Sequence, residues 1–126
     1  MTLLLGYLLL GLAACAHCQI SLVQSGNGNV KPNEVLKLTC KVIGYTITTG
    51  YWWSWNRQTT EKGLEWLGLI KSDGAVMYNS AFQSRISVTR DTTNNEYSVQ
   101  LSNMRSDDSG TYYCARDTVT ETTGNL

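Results

Sequence analysis

Apolar and polar residues alternate at period two through much of the chain. Leu36, Leu38, Cys40 and Val42 fall on one side of an extended segment, with Lys37, Thr39 and Lys41 between them. That is the pattern of a half-buried strand whose inner face carries Cys40. Ile86, Val88 and Arg90 alternate with Ser87 and Thr89, and Tyr97, Val99 and Leu101 with Ser98 and Gln100. Tyr112 and Cys114 share one face of a further strand, and Tyr113 takes the other. Residues 53–58 and 64–70 add two more strands, joined by a polar turn over 59–63. Turn-forming clusters separate these runs at 26–33, 44–50, 72–74, 91–95 and 102–110, and no segment keeps a 3.6-residue period over helical length. Short strands with regular breakers predict an all-β sandwich of two sheets, and the chain length suits one domain.

The N-terminus departs from this pattern. Residues 1–18 carry no charged side chain, and 3–16 form one apolar run, too short to span a bilayer comfortably and without the polar face of a core helix. Ala16-His17-Cys18 offers a small-residue cleavage signature before Gln19, so 1–18 is expected to be a secretory signal peptide. No second apolar run of spanning length occurs in the sequence, so no membrane contact is expected from the mature chain itself.

Cleavage changes the chemistry that remains. Cys15 and Cys18 leave with the signal, and Cys40 and Cys114 stay; an even pair in a secreted domain reads as one disulfide. The single histidine, His17, leaves as well, so Ser-His-Asp and Cys-His catalytic sets cannot form, and two cysteines alone make a poor zinc site. Asp107 and Asp108, adjacent in sequence, would point to opposite sides of an extended chain and are not expected to act as a general acid/base pair. An enzyme is not expected, nor a metal or other cofactor. Ten basic and ten acidic residues cancel, which gives no electrostatic reason for a nucleic-acid or anionic-membrane partner. Four Trp and seven Tyr against one Phe favour aromatics with a polar handle.

Longer strings point to a family. Cys40, Trp55 and Cys114 are separated by 15 and 59 positions, with Tyr112 two before the second cysteine, the arrangement of an immunoglobulin sandwich with its tyrosine corner. Trp55-Asn56-Arg57-Gln58, Gly63-Leu64-Glu65-Trp66, Asp108-Ser109-Gly110-Thr111-Tyr112-Tyr113-Cys114 and Ala115-Arg116 together resemble an antibody heavy-chain variable domain. The resemblance runs from about Gln19 to Asp117 and implies a V-type Greek-key sandwich over 19–116. It implies a Cys40–Cys114 bridge closing a loop of roughly 75 residues, worth ~4.5 kcal/mol in a chain-entropy account, with Trp55 packed on it and Tyr112 at the corner. It also pairs Arg85 with Asp108 at the bottom of the sandwich. The charges alone do not distinguish that pair from two unrelated surface residues.

Two surfaces follow from parity and resemblance. With Trp55 and Arg57 facing the core, Asn56 and Gln58 face away, as do Leu64, Trp66 and Tyr113; such a patch marks an interface. In the resembled family the matching positions pack on a light-chain variable domain. Asn56 stands where that family has an apolar residue, which weakens pairing or calls for a polar partner. The loops after the first cysteine strand (45–54), between the next two strands (71–77) and after Arg116 match the antigen-contacting loops. Thr49, Tyr51, Trp52, Trp53, Lys71, Ser72, Asp73 and Arg116 are the expected contacts, with Trp53 also readable as a buried loop anchor and Trp52 as the better exposed residue.

The resemblance implies the heavy-chain variable region of an antibody or B-cell receptor, secreted or on the outer face of the plasma membrane, with antigen and a light chain as partners. A V-type ectodomain of a receptor or adhesion protein that never rearranges is the alternative. The likeness breaks at 117–126, which lack the Trp-Gly-x-Gly of a final strand. One codon choice for Asp117-Thr118-Val119, GAC-ACA-GTG, contains CACAGTG, the heptamer beside unrearranged V segments. The tail then reads as germline read-through, or alternatively as a remnant of the third loop. Either way the last strand is expected to be missing or non-native, leaving the Tyr112–Arg116 strand as an edge.

Overall fold

A computed structural model describes residues 19–27 and 31–117. The expected signal peptide (1–18) and residues 118–126 of the tail lie outside the described residues. Eight strands form two antiparallel sheets: β1 (Ser21–Asn27), β2 (Leu36–Ile43), β3 (Trp52–Thr59), β4 (Gly63–Lys71), β5 (Val76–Tyr78), β6 (Ile86–Asp91), β7 (Glu96–Leu101) and β8 (Thr111–Asp117). One sheet runs β1-β2-β7-β6 and the other β5-β4-β3-β8. The chain therefore changes sheet after β2, after β5 and after β7, as a Greek-key sandwich requires.

Each sheet buries the residues that alternation assigns to it. Leu36, Leu38, Cys40 and Val42 of β2 are buried, as are Tyr97, Val99 and Leu101 of β7 and Ile86 and Val88 of β6. From the other sheet Trp53, Trp55, Leu67, Ile70 and Tyr112 meet them. The Cys40–Cys114 disulfide links the layers, with Cα atoms 6.4 Å apart. In the ladders Trp55 stands opposite Cys114 and Tyr97 opposite Cys40, and the rings of Trp55 and Tyr97 lie 5.6 Å apart. A bridge, an indole and a phenol thus fill the centre of the space between the sheets.

The structure adds elements that periodicity does not reveal. β1 is an edge strand whose Leu22 packs against the core while its neighbours are largely exposed, so it shows no apolar alternation. Its Gly26 has φ +129°, and a Cβ there would lie 2.6 Å from the Lys37 carbonyl oxygen of β2. Glycine lets the two backbones meet. β5 has three residues and little buried surface. It shortens the expected 71–77 loop, because Lys71 still belongs to β4 and only 72–75 turn. That turn is closed by Gly74 N–H on the Lys71 carbonyl (2.9 Å) and by Lys71 N–H on the Ala75 carbonyl (2.7 Å), with Gly74 at φ +96°. Asp107 and Asp108 lie in a 3-10 turn, Ser106–Asp108, and not on extended chain. Asp108 is buried there while Asp107 stays partly exposed. Among the described residues β8 pairs only with β3, although Gln24 Nε2 of β1 reaches the Tyr112 carbonyl at 2.9 Å.

Candidate functional site

Three arrangements bear on function: a buried ionic cluster under one end of the sandwich, an uncovered sheet face, and a group of loops at the opposite end.

The cluster is built around Arg57, which alternation places on the inner side of β3. Its side chain is only 1% exposed and bonds Asp108 (Nη1–Oδ1, 2.7 Å) and Glu65 (Nε–Oε1, 2.9 Å). Arg57 Nη1 also donates to the Tyr112 hydroxyl at 3.0 Å, and that hydroxyl donates to the Asp108 carbonyl at 2.6 Å, four residues back. Asp108 Oδ1 accepts from Arg85 Nη2 at 2.8 Å, and its Oδ2 accepts from Arg85 Nη1 (3.0 Å) and the Arg105 amide (2.8 Å). Arg85 and Asp108 are therefore in contact, and Tyr112 closes the corner.

A charge this deep is tolerable only when fully paired. Burial alone pushes the Asp108 carboxyl upward, but the bonds from Arg85, Arg57 and the Arg105 amide outweigh it and hold its pKa well below the usual carboxylate range. For Arg57, burial opposes the charge and Asp108, Tyr112 and Glu65 more than restore it. Arg57 Nη2 has no hydrogen-bond partner among the described residues. Its guanidinium lies on the Phe82 ring, 4.7 Å from the centroid, and Arg85 lies 5.5 Å from the same ring. The chain's one Phe is thus flanked by two cations. Pairing Arg85 with Asp108 leaves out Arg57 and Glu65. A charged residue at an inward position of a predicted strand was the available signal, since such a group requires a partner.

The second arrangement is the outer face of the β4-β3-β8 sheet. Asn56 sits in one row with Trp66 on β4 and Tyr113 on β8, and Gln58 in the next with Leu64 and Thr111. Leu64 is 67% exposed, the largest exposure among the exposed large hydrophobics. Trp66, Tyr113 and Asn56 are half-buried and Gln58 is exposed. A register shift between Trp55 and Asn56 inserts an extra β4 residue, so Leu67 turns into the core while Trp66 stays outside.

The third arrangement gathers the loops. The registers of β3 with β4 and β8 set Lys71, Trp52 and Asp117 abreast, with Arg116 opposite Trp53 in the next row. The 44–51 loop is pinned by Asn95, a residue that sequence reasoning overlooked. Its Oδ1 accepts from the Ile47 amide (2.9 Å) and its Nδ2 donates to the carbonyls of Val42 (2.8 Å) and Tyr45 (2.6 Å). Trp53 is fully buried. Its Nε1 donates to the carbonyls of Ile47 (3.2 Å) and Gly50 (3.1 Å), so it anchors the loop from beneath and presents no contact surface. Tyr45, Tyr51 and Trp53 form an edge-packed group with centroids 4.9–6.1 Å apart. Tyr51 takes the left-handed conformation, φ 67°. Lys71 Nζ lies 4.8 Å from the Trp52 ring and the Arg116 guanidinium 4.6 Å from Tyr51. Thr49, Asp73 and Arg116 are exposed, and Tyr51, Trp52, Lys71 and Ser72 are half-buried. The Asp73 carboxylate accepts the Ala75 amide at 2.9 Å and so shapes its own turn.

The comparisons with known proteins agree with this geometry. The sequence matches the Immunoglobulin V-set domain family over residues 24–125. The chain belongs to that family. It is also 49% identical over 98 residues to the Ig heavy chain V region MOPC 315 of Mus musculus, covering 78% of this chain and 72% of that protein. The V-set domain is thus a heavy-chain variable domain, a non-enzymatic kind of protein. The two sheets, the inter-sheet disulfide and the tyrosine corner are those of its family.

Proposed function

We propose that this domain is the antigen-recognising half of an antibody or B-cell receptor heavy chain, completed by a light-chain variable domain. The observation that carries the reading is the uncovered face around Leu64. An aliphatic side chain two-thirds exposed, bordered by Trp66, Tyr113 and Gln58, is costly on a solitary domain and useful at an interface. The same strands that form this face carry Trp52, Lys71 and Arg116 at their ends. A partner on the face therefore brings its own loops beside these, and the two sets form one recognition surface. Rigid aromatics held by the Asn95 and Trp53 hydrogen bonds, with small polar residues beside them, suit that task. Antigen contact falls to Thr49, Tyr51, Trp52, Lys71, Ser72, Asp73 and Arg116, with Trp53 as their support. The working location is outside the cell, where the disulfide persists.

Co-expression with light-chain variable domains tests the reading. A stable one-to-one complex is expected, and Leu64→Arg is expected to abolish it without lowering the melting temperature of the isolated domain. Failure of every light-chain domain to pair, or indifference of the pairing to Leu64→Arg, would overturn it.

A further inference from the structure

The central residue of the pairing face is an amide, and its hydrogen bonds are only half made. Asn56 is half-buried between Trp66 and Tyr113. Its Nδ2 donates to Ser54 Oγ at 3.3 Å, and Ser54 Oγ itself donates to the Ala115 carbonyl at 3.2 Å. Because the serine proton is spent on that carbonyl, Ser54 can only accept from Asn56. The relay therefore fixes which end of the carboxamide faces inward. The remaining acceptor, Oδ1, bonds to nothing among the described residues. The surroundings supply no charge either, since Arg57 is buried and Glu65 is turned toward it, and Gln58, Leu64, Trp66 and Tyr113 are neutral.

Resting on the pairing proposed above, we infer that Asn56 restricts this domain to light-chain variable domains that place a hydrogen-bond donor opposite it. Covering the face removes water from Oδ1. A partner with a Ser, Thr, Tyr or Gln at the facing position restores the lost bond, whereas an aliphatic one leaves a buried acceptor unmade. The second case weakens pairing by about 10- to 100-fold. The residues bordering Asn56 on the face (Gln58, Leu64, Trp66 and Tyr113) are uncharged, so the discrimination is by donor placement and not by charge attraction at that point.

The test pairs the chain, and its Asn56→Val variant, with a panel of light-chain variable domains. Half of the panel carries Ser, Thr, Tyr or Gln at the centre of the facing sheet, and half an aliphatic residue. The wild type is expected to bind the donor-bearing half at least tenfold tighter, and Asn56→Val to reverse that order. Ser54→Ala, which frees the carboxamide to rotate, is expected to shrink the preference while leaving pairing intact. An identical rank order for wild type and Asn56→Val overturns the inference and leaves the pairing reading standing. A wild type that pairs with no member while Asn56→Val pairs with all overturns both the inference and the pairing reading. Absence of pairing by both chains with every partner overturns the pairing reading itself.

Discussion

Asp108→Ala removes one carboxylate and leaves Arg57 in place, a guanidinium side chain 1% exposed with its main counter-charge gone. Glu65 remains on Nε and the Tyr112 hydroxyl on Nη1, but the Asp108 oxygens also hold Arg85 and the Arg105 amide. Breaking a buried pair by deleting one member costs about 3–5 kcal/mol, against a total of roughly 5–15 kcal/mol for a domain. At about 4–8 °C per kcal/mol for a domain of this size, the melting temperature should fall by roughly 12–40 °C. Chemical denaturation at neutral pH measures the free energy directly, and an unchanged slope against denaturant would place the effect in the folded state. Arg85→Ala serves as the control. That side chain is 10% exposed and its loss leaves the Arg57–Asp108 pair intact, so its cost should stay near 1–2 kcal/mol. A loss below 1 kcal/mol for Asp108→Ala, or equal losses for the two variants, would refute the view that Arg57 is the charge the cluster exists to hold.

Further expectations follow from the same geometry. Asp108 titrates lower in the folded chain than in the unfolded one, where an aspartate titrates near pH 3.9. Its contribution is therefore complete above that range and drains away as pH falls through the depressed folded value. Acid denaturation followed by circular dichroism should show this limb, and Asp108→Asn should flatten it. Replacing Cys40 and Cys114 by alanine should cost about 4.5 kcal/mol through the loop they close, read as a shift in the urea midpoint. Tyr112→Phe loses the bond to the Asp108 carbonyl and the acceptor for Arg57, and should cost about 1–2 kcal/mol by the same assay. Asn95→Ala should leave the sheets folded but release the 44–51 loop, seen as faster amide exchange at Ile47, whose N–H the Asn95 side chain accepts.

Period-two alternation, the cysteine count and the spacing of Cys40, Trp55, Tyr112 and Cys114 determined the sandwich and its disulfide, because these are local or pairwise properties of the chain. Parity along β3, β4 and β8 likewise separated the core face from the face bearing Asn56, Gln58, Leu64, Trp66 and Tyr113. The strands β1 and β5 were not legible: within β1 only Leu22 packs on the core, and β5 is three residues long with little buried surface, so neither carries an alternation to read. The Arg57–Glu65–Asp108–Arg85 network was only half legible. Its members come from β3, β4, the turn before β8 and the turn before β6, and no local pattern says which charges will meet. Trp52 and Trp53 make the same point from adjacent positions. They are identical in sequence terms, yet the pleat sends one to the surface beneath Lys71 and the other into the core, where the carbonyls of Ile47 and Gly50 receive its N–H. Composition could place an indole near the loops; only the packing of two sheets decided which one supports them and which one they display.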